Sequence, residues 1–170
     1  MHPYHHSLFV NFIVYFNRNQ DYFECHEVLE EYWKSIPNSD KNHPLTAYIL
    51  LSTGMYHWRR SNLNGAIRTL EKAMVKLPVF EVDAPAFTEK IDFHQLLHDL
   101  ENAISRLKQK LPFEPFPIIV QSSTLTNLVL IAEQSMDLLP FGDDAVIHKH
   151  MLRDRSDILR VREEKKKGRF

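Results

Sequence analysis

Residues 16–34, FNRNQDYFECHEVLEEYWK, bring potential acid–base groups together on one predicted helix. The groups fall within three turns of that helix: His26, Glu27, Glu30 and Glu31. At about 100° per residue, His26 and Glu30 differ by about 40° and lie at the rim of the apolar face, beside Trp33. A histidine and a carboxylate placed in this way can share a proton, a metal ion or a hydrogen-bond network.

Three interpretations of the His26–Glu30 pair remain open from the residues alone. In the first, the pair is structural, and His26 hydrogen-bonds Glu30 and a neighbouring helix. In the second, both side chains bind a divalent metal with His57 as third ligand, although H-E-x-x-x-E lacks the second histidine of H-E-x-x-H. In the third, they form a general acid–base dyad, in which the carboxylate raises the basicity of the histidine.

Further candidate residues flank the pair and follow in a second motif. Glu24, Glu27 and Glu31 are predicted to form a carboxylate row that faces away from the core. The second motif is STGMYHWRRSNLNGA, whose polar candidates are His57, Arg60 and Asn62. Its Gly54 lies inside a predicted helix, where glycine costs roughly 1 kcal/mol against alanine, so we expect close approach of another helix or a ligand. Arg60 is expected to complement the helix C-terminus, to oppose the carboxylate row or to bind an anion.

Apolar periodicity and capping residues predict helices along most of the chain. The predicted helices span residues 5–17, 20–36, 45–60, 63–77, 92–110 and 122–137, and the last of these is also compatible with a strand. Pro78 is expected to end the fourth helix and begin a loop, and the prolines of residues 112–117 require an extended segment. Cys25 is expected to be a buried, inert thiol.

Three of these helices share the spacing i, i+4, i+7, i+12 of three core positions and a final proline. The aligned sets are Cys25, Leu29, Tyr32 and Pro37; Ala66, Leu70, Ala73 and Pro78; and Leu100, Ile104, Leu107 and Pro112. The middle set resembles a tetratricopeptide repeat, but any amphipathic helix that ends at a proline gives much of this pattern. Paired antiparallel helices are the simpler inference.

Composition narrows the class of protein. One cysteine, no signal peptide pattern and no apolar run of about 18 residues predict a cytoplasmic protein without a membrane span. Residues 148–170 hold nine basic and four acidic side chains, a charge of +5, whereas the remainder carries −6. The tail lacks interleaved aromatic residues, so nucleic-acid binding is not expected.

The two motifs together resemble the family catalogued as domain of unknown function 309. The segment YFECHEVLEEYW is similar to its F-E-x-H-E-x-L-E-x-x-W signature, and GMYHWRRSNLNGA follows in the same order, with Cys25 and Ser61 as departures. The resemblance covers about residues 10–78, singles out both sets of candidate residues and implies a compact all-helical fold. It implies no activity, and residues 112–170 are expected to be an extension.

We therefore predict an all-α fold of antiparallel helical hairpins, tetratricopeptide-like in places. Residues 1–142 are expected to form one domain, and residues 143–170 a basic tail or docking helix through which homo-oligomers are possible. The expected function is a cytoplasmic binding or scaffolding module without a cofactor, for an unknown protein partner or small molecule. Its groove would lie between the second and third helices and be lined by the His26/Glu30 and His57/Arg60 motifs. The candidate ligand-binding residues are Glu24, Glu27, Trp33, His57, Arg60 and Asn62. The alternative is a small acid–base or metal-dependent enzyme that uses His26, Glu30 and His57.

Overall fold

The computed structural model describes residues 2–140 and 142–148, and it confirms the all-α fold. The helices are α1 (Ser7–Val14), α2 (Tyr22–Ser35), α3 (Pro44–Arg59), α4 (Leu63–Asp83), α5 (Phe93–Lys108), α6 (Ser123–Ser135) and α7 (Asp144–Ile147). Short turns of 3₁₀-helix at Pro3–His5 and Pro85–Phe87 and a π-helical turn at Tyr15–Asn19 complete the regular structure. Within the described residues, β pairing is limited to one isolated bridge between Ile91 and Val120.

Helix α3 lies at the centre of the molecule and packs against both of its neighbours in sequence, α2 and α4. The closest approach is at Gly54, which faces the fully buried Leu70 of α4. A Cβ atom at position 54 would lie only 2.3 Å from Leu70 Cδ2 and 3.3 Å from the Leu70 backbone nitrogen. The unfavourable helical glycine is therefore explained by a close α3–α4 contact.

Aromatic side chains of the N-terminal helices fill the other side of α3. Tyr4 stacks on Phe9, and Tyr48 of α3 meets the edge of the Phe9 ring. Both tyrosine hydroxyls donate to the carbonyl oxygen of Phe87, which joins the N-terminus to the connection between α4 and α5. Burial raises the pKa of both tyrosines, so they remain neutral donors.

Helix α2 presents its predicted apolar stripe to this core. Asp21 caps the helix by accepting a hydrogen bond from the Glu24 N–H at 3.2 Å. The stripe of Cys25, Leu29 and Tyr32 is buried. Cys25 is buried as expected, and burial raises the pKa of its thiol, which disfavours the reactive thiolate.

The predicted end of α4 at Pro78 is wrong, because the helix continues to Asp83. Proline has no N–H for the carbonyl four residues earlier, but Pro78 is exposed, so that carbonyl can turn towards water. Leu77 and Phe80 continue the buried stripe on the opposite side. The proline alignment behind the proposed repeat therefore fails at its middle copy, while the paired helices themselves are present.

Residues 112–120 form the extended segment predicted from their prolines. The Asn17 side chain binds both backbone polar groups of Ile118 in this segment. It accepts a hydrogen bond from the Ile118 N–H at 2.8 Å and donates one to the Ile118 carbonyl oxygen at 2.9 Å. Phe113 packs edge-on against Trp58 at the end of α3. The segment thereby covers the far end of the central helix.

The segment predicted as either helix or strand, residues 122–137, contains a helix, α6, and Ser122 is its capping residue. Val146 in the short α7 is buried. The predicted docking stripe of the tail, Met151, Leu152, Ile158, Leu159 and Val161, lies outside the described residues, so the domain boundary at residue 142 stays a prediction. None of the helices in the described part of the chain has the length and hydropathy needed to cross a bilayer.

We expect Gly54→Ala to destabilise the protein although alanine is the better helix former. The added methyl group overlaps Leu70, and overpacking of this kind costs about 1–3 kcal/mol. Urea denaturation of the variant measures the effect. Gly142→Ala is the control, because nothing lies within 4 Å of its added Cβ. An increase in stability for Gly54→Ala would contradict the close contact.

We expect His43 to make stability depend on pH. Its Nδ1 accepts from the Leu45 N–H at 3.1 Å and caps α3, which requires an unprotonated Nδ1. Burial lowers the pKa of His43, so the folded state binds this proton less readily than the unfolded state. The contribution is therefore complete above about pH 6.5 and is lost as the pH falls further.

His43→Asn keeps a capping side chain but removes the titrating group. Urea midpoints at about pH 7.5 and 5.5 should fall less for this variant than for the wild type. His98→Asn, at an exposed histidine, is the matched control and should behave as the wild type. If the urea midpoints of His43→Asn and of the wild type depended equally on pH, the capping role of the His43 side chain would be refuted.

Candidate functional site

The His26 ring lies between two carboxylates on the flank of α2. Its Nδ1 is 3.1 Å from Glu27 Oε1, and its Nε2 is 3.3 Å from Glu30 Oε2. Glu30 also accepts from Lys34 Nζ at 2.6 Å through its other oxygen. The i, i+4 pair expected from the sequence is therefore part of a larger charged network that runs along one helix.

Glu30 is the shared member of this network. The pKa of its carboxyl is lowered, chiefly by the hydrogen bond from Lys34; burial opposes this effect, and the nearby His26 adds a weaker lowering. Glu30 is therefore held as an ionised carboxylate that accepts from Lys34 and lies beside the His26 ring. A general acid requires the opposite shift, so this environment does not favour Glu30 as a proton donor.

The same geometry bears on the metal interpretation. Among the described residues, one group of three side chains, His26, Glu27 and Glu30, has potential ligand atoms within 4.8 Å of one another. The third member is Glu27 rather than the expected His57. The two carboxylates face different nitrogens of one ring, and an ion bound to one nitrogen would leave the other carboxylate behind the ring. The arrangement thus satisfies hydrogen bonds within the helix better than the coordination sphere of one ion.

The second motif forms its own contacts at the end of α3. The Asn62 side chain caps α4 by accepting from the Gly65 N–H at 3.2 Å, and its amide nitrogen lies 3.3 Å from His57 Nδ1. Burial, and then the charge of Arg60, lower the pKa of His57, which favours the neutral ring as an acceptor of the Asn62 hydrogen bond. His57 and Asn62 therefore fix the turn between α3 and α4.

Arg60 stacks on an aromatic ring near the end of α3. Its guanidinium carbon lies 5.2 Å from the centroid of the Tyr56 ring. None of the ion pairs found between described residues joins Arg60 to the predicted row of Glu24, Glu27 and Glu31. Glu27 and Glu31 are exposed and Glu24 is half-buried, so the row lies towards solvent.

Both motifs nevertheless lie on one face of the molecule. The half-buried residues of α3 on this face recur at helical spacing: Thr46, Ile49, Leu50, Thr53, His57 and Arg60. The corresponding stripe on α2 is Phe23, His26, Glu30 and Trp33. The Phe23 ring meets Tyr56 near the end of α3, whereas Trp33 lines a groove with Ile49 near its beginning. His26 and His57 thus belong to the same face but form separate networks.

The groove on this face is larger and more apolar than the histidine motifs suggested. It encloses about 410 Å³ between α2, α3 and α4. Its lining residues are Glu30, Trp33, Lys41, Thr46, Ile49, Leu50, Lys72 and Lys76. Glu30 and Trp33 are the predicted site residues that contribute to it, while His57, Arg60 and Asn62 lie farther along the face.

The three lysines of the groove were missed by sequence reasoning. Lys72 and Lys76 are separated by one helical turn. This spacing does not indicate a binding site, because it is equally common on an ordinary solvent-exposed face of a helix. Lys41 comes from the loop after α2, and no pattern in the sequence connects it with α4. The contact appears only in three dimensions, where Lys76 Nζ donates to the Lys41 carbonyl at 2.9 Å.

Trp33 lies at the wall of the groove and is half-buried, rather than largely buried as its position on the helix suggested. Its indole N–H donates to the Asp40 carbonyl oxygen at 3.0 Å, which fixes the ring against the loop after α2. One part of the ring therefore packs on the protein while another part is available to a ligand.

Comparison with known proteins supports the family resemblance. The family model described as "Domain of unknown function (DUF309)" matches residues 9–69, from α1 to the first half of α4. "Uncharacterized protein YpuF" of Bacillus subtilis (strain 168) is 28% identical over 162 residues, or 91% of each chain. Similarity to this relative therefore extends well beyond the family model. No solved structure matches the chain.

We expect Glu30→Gln to lower stability by less than about 1 kcal/mol at neutral pH, because the network that it weakens is largely exposed. The lowered pKa of Glu30 means that its contribution is present above the ordinary carboxyl range and is lost as the pH falls through the folded value. The variant and wild type should therefore converge in urea denaturation as the pH falls below the ordinary carboxyl range.

The control for this measurement is Glu31→Gln, which changes the exposed neighbouring glutamate. It should differ little from the wild type over the same pH range. If Glu30→Gln proved as stable as the wild type or more so at neutral pH, the structural role of Glu30 would be refuted.

Proposed function

We propose that this chain is a helical binding module for an acidic amphipathic segment of a partner protein. Its residues 9–69 match the family model described as "Domain of unknown function (DUF309)", which assigns no activity. The observation that carries the proposal is an apolar groove edged by three lysines. We further propose a cytoplasmic location, which is consistent with the single, free and buried cysteine.

The floor and wall of the groove supply apolar contacts. Ile49 and Leu50 are half-buried on α3, and Trp33 stands beside them on α2. A tryptophan that is already held by a hydrogen bond loses little freedom on binding, and such residues often dominate the energy of interfaces. These three side chains would contact the apolar face of the bound segment.

The rim of the groove determines the charge of the partner. Lys41, Lys72 and Lys76 contribute three positive charges, whereas Glu30 contributes one negative charge that Lys34 and His26 already contact. The side of the groove near α4 is therefore cationic. Carboxylates on the partner would gain from this rim in binding rate and orientation.

The shape of the groove favours a segment of protein over an enclosed small molecule. The groove is open to solvent along the face and lies between helices that run side by side. An amphipathic helix can lay its apolar side along such a groove and keep its acidic residues at the lysine rim. A scaffolding role follows if the segment belongs to a larger protein.

Fluorescence of Trp33 provides a direct test. The chain has two tryptophans, and Trp58 is only 2% exposed. In a Trp58→Phe background, Trp33 becomes the reporter of the groove. A synthetic amphipathic helix of leucine and glutamate is expected to change its emission saturably and with strong dependence on salt, unlike a scrambled peptide of the same composition.

Charge variants identify the groove as the site of binding. Lys72→Glu with Lys76→Glu should weaken binding of the acidic peptide at least roughly tenfold, a loss of about 1.4 kcal/mol. Lys108→Glu with Lys110→Glu, at the end of α5, changes the same number of charges away from the groove and should have little effect. Equal loss in both double variants would reduce the interaction to net charge and overturn the proposal.

Two further outcomes would also contradict the proposed partner. A leucine–lysine helix that bound as well as the leucine–glutamate helix would exclude the cationic rim as the determinant. Binding of dodecanoate to the groove without binding of the acidic helix would assign the site to a small amphiphile instead.

A further inference from the structure

The C-terminal half of α4 exposes a row of valines that the groove does not use. Val75, Val79 and Val82 are 75%, 52% and 83% exposed. Their spacing of four and then three residues places them on one side of the helix, and we call this row the valine ridge. Exposed valine is a weaker helix former than alanine or leucine, so the ridge brings no benefit to α4 itself.

A cleft of about 490 Å³ adjoins the valine ridge. Its lining includes Val75 and Val79 together with Pro44, Phe80 and Ala84. The ridge and the cleft thus lie side by side on one surface. Apolar side chains on one continuous surface can pair with a copy of the same surface about a two-fold axis.

Charges along the ridge specify how two copies would pair. At about 100° per residue, Lys72, Lys76 and Asp83 fall within about 60° of Val79 on the same flank of the helix. The lysines lie towards the N-terminal end of the ridge and Asp83 towards its C-terminal end. In a parallel two-fold pair the two charged flanks fall on opposite sides of the contact and do not meet, whereas antiparallel pairing about Val79 keeps both flanks on one side and brings Lys76 of each copy close to Asp83 of the other.

We propose that the valine ridge is a two-fold interface between copies of this chain, with the two α4 helices antiparallel. Val75 of one copy then lies within one residue of the level of Val82 of its partner, and the two valine ridges pack against each other. Two Lys76–Asp83 pairs flank the apolar contact. The patch is small, so the dimer is weak and depends on concentration. This proposal does not rest on the ligand of the groove, although Lys76 belongs to both surfaces.

Sedimentation of the full chain over a range of concentrations tests the proposal. The wild type should shift from monomer to dimer as the concentration rises. Val82→Asp changes the most exposed valine of the ridge and should weaken the dimer at least roughly tenfold. Ile131→Asp is the matched control, because Ile131 is a 64% exposed β-branched residue on α6. Thermal melts establish that both variants are folded.

Charge reversal tests the antiparallel arrangement itself. Lys76→Asp and Asp83→Lys each place like charges together at both ends of the interface, so each variant alone should be more monomeric than the wild type. A mixture of the two variants restores opposite charges at both ends, and we expect mixed dimers to form.

Three results would overturn the proposal. The wild type could remain monomeric at all concentrations. The dimer could persist in Val82→Asp, which would place the interface elsewhere, such as in the C-terminal tail. The two charge variants could also fail to associate when mixed, which would exclude antiparallel pairing through Lys76 and Asp83.

Discussion

The contact between Gly54 and Leu70 is the constraint on which the functional face depends. A side chain at position 54 would separate α3 from α4, and the distance between these helices sets the width of the lysine-edged groove. The turn that follows, fixed by Asn62 and His57, orients α4 so that Lys72 and Lys76 reach the same side as Trp33. One missing methyl group thus positions residues from three helices.

The polar motifs have a structural role beside this contact. His26, Glu27, Glu30 and Lys34 satisfy one another along α2, and Asn62 and His57 satisfy the turn after α3. Such local networks fix side chains at the edge of an apolar surface, where each polar group needs a partner. The binding that we propose would depend instead on the apolar floor and the three lysines of the rim, and of the groove's lining residues Glu30 and Trp33 belong to a motif.

Local signals in the sequence predicted most elements but not all of their ends. The caps Asn62, Asp92 and Ser122 were predictable because each places a side-chain acceptor before an apolar stripe. Pro78 could not be judged in this way, since its cost depends on whether the freed carbonyl faces water or protein. The groove was unpredictable for a related reason: Lys41 and Lys76 are 35 residues apart and meet only after the helices pack.

The extended segment has a register that is fixed by its own composition. Asn17 requires an N–H at the residue that it holds, and Ile118 supplies it. Sliding the segment by one position in one direction would present Pro117, which has no N–H to donate. A shift in the other direction would exchange the buried Ile118 for the exposed Ile119 and turn every following side chain to the opposite side. The length of chain between α5 and Ile118 is therefore fixed, and an inserted or deleted residue there would have to bulge from the surface instead of being absorbed by slippage.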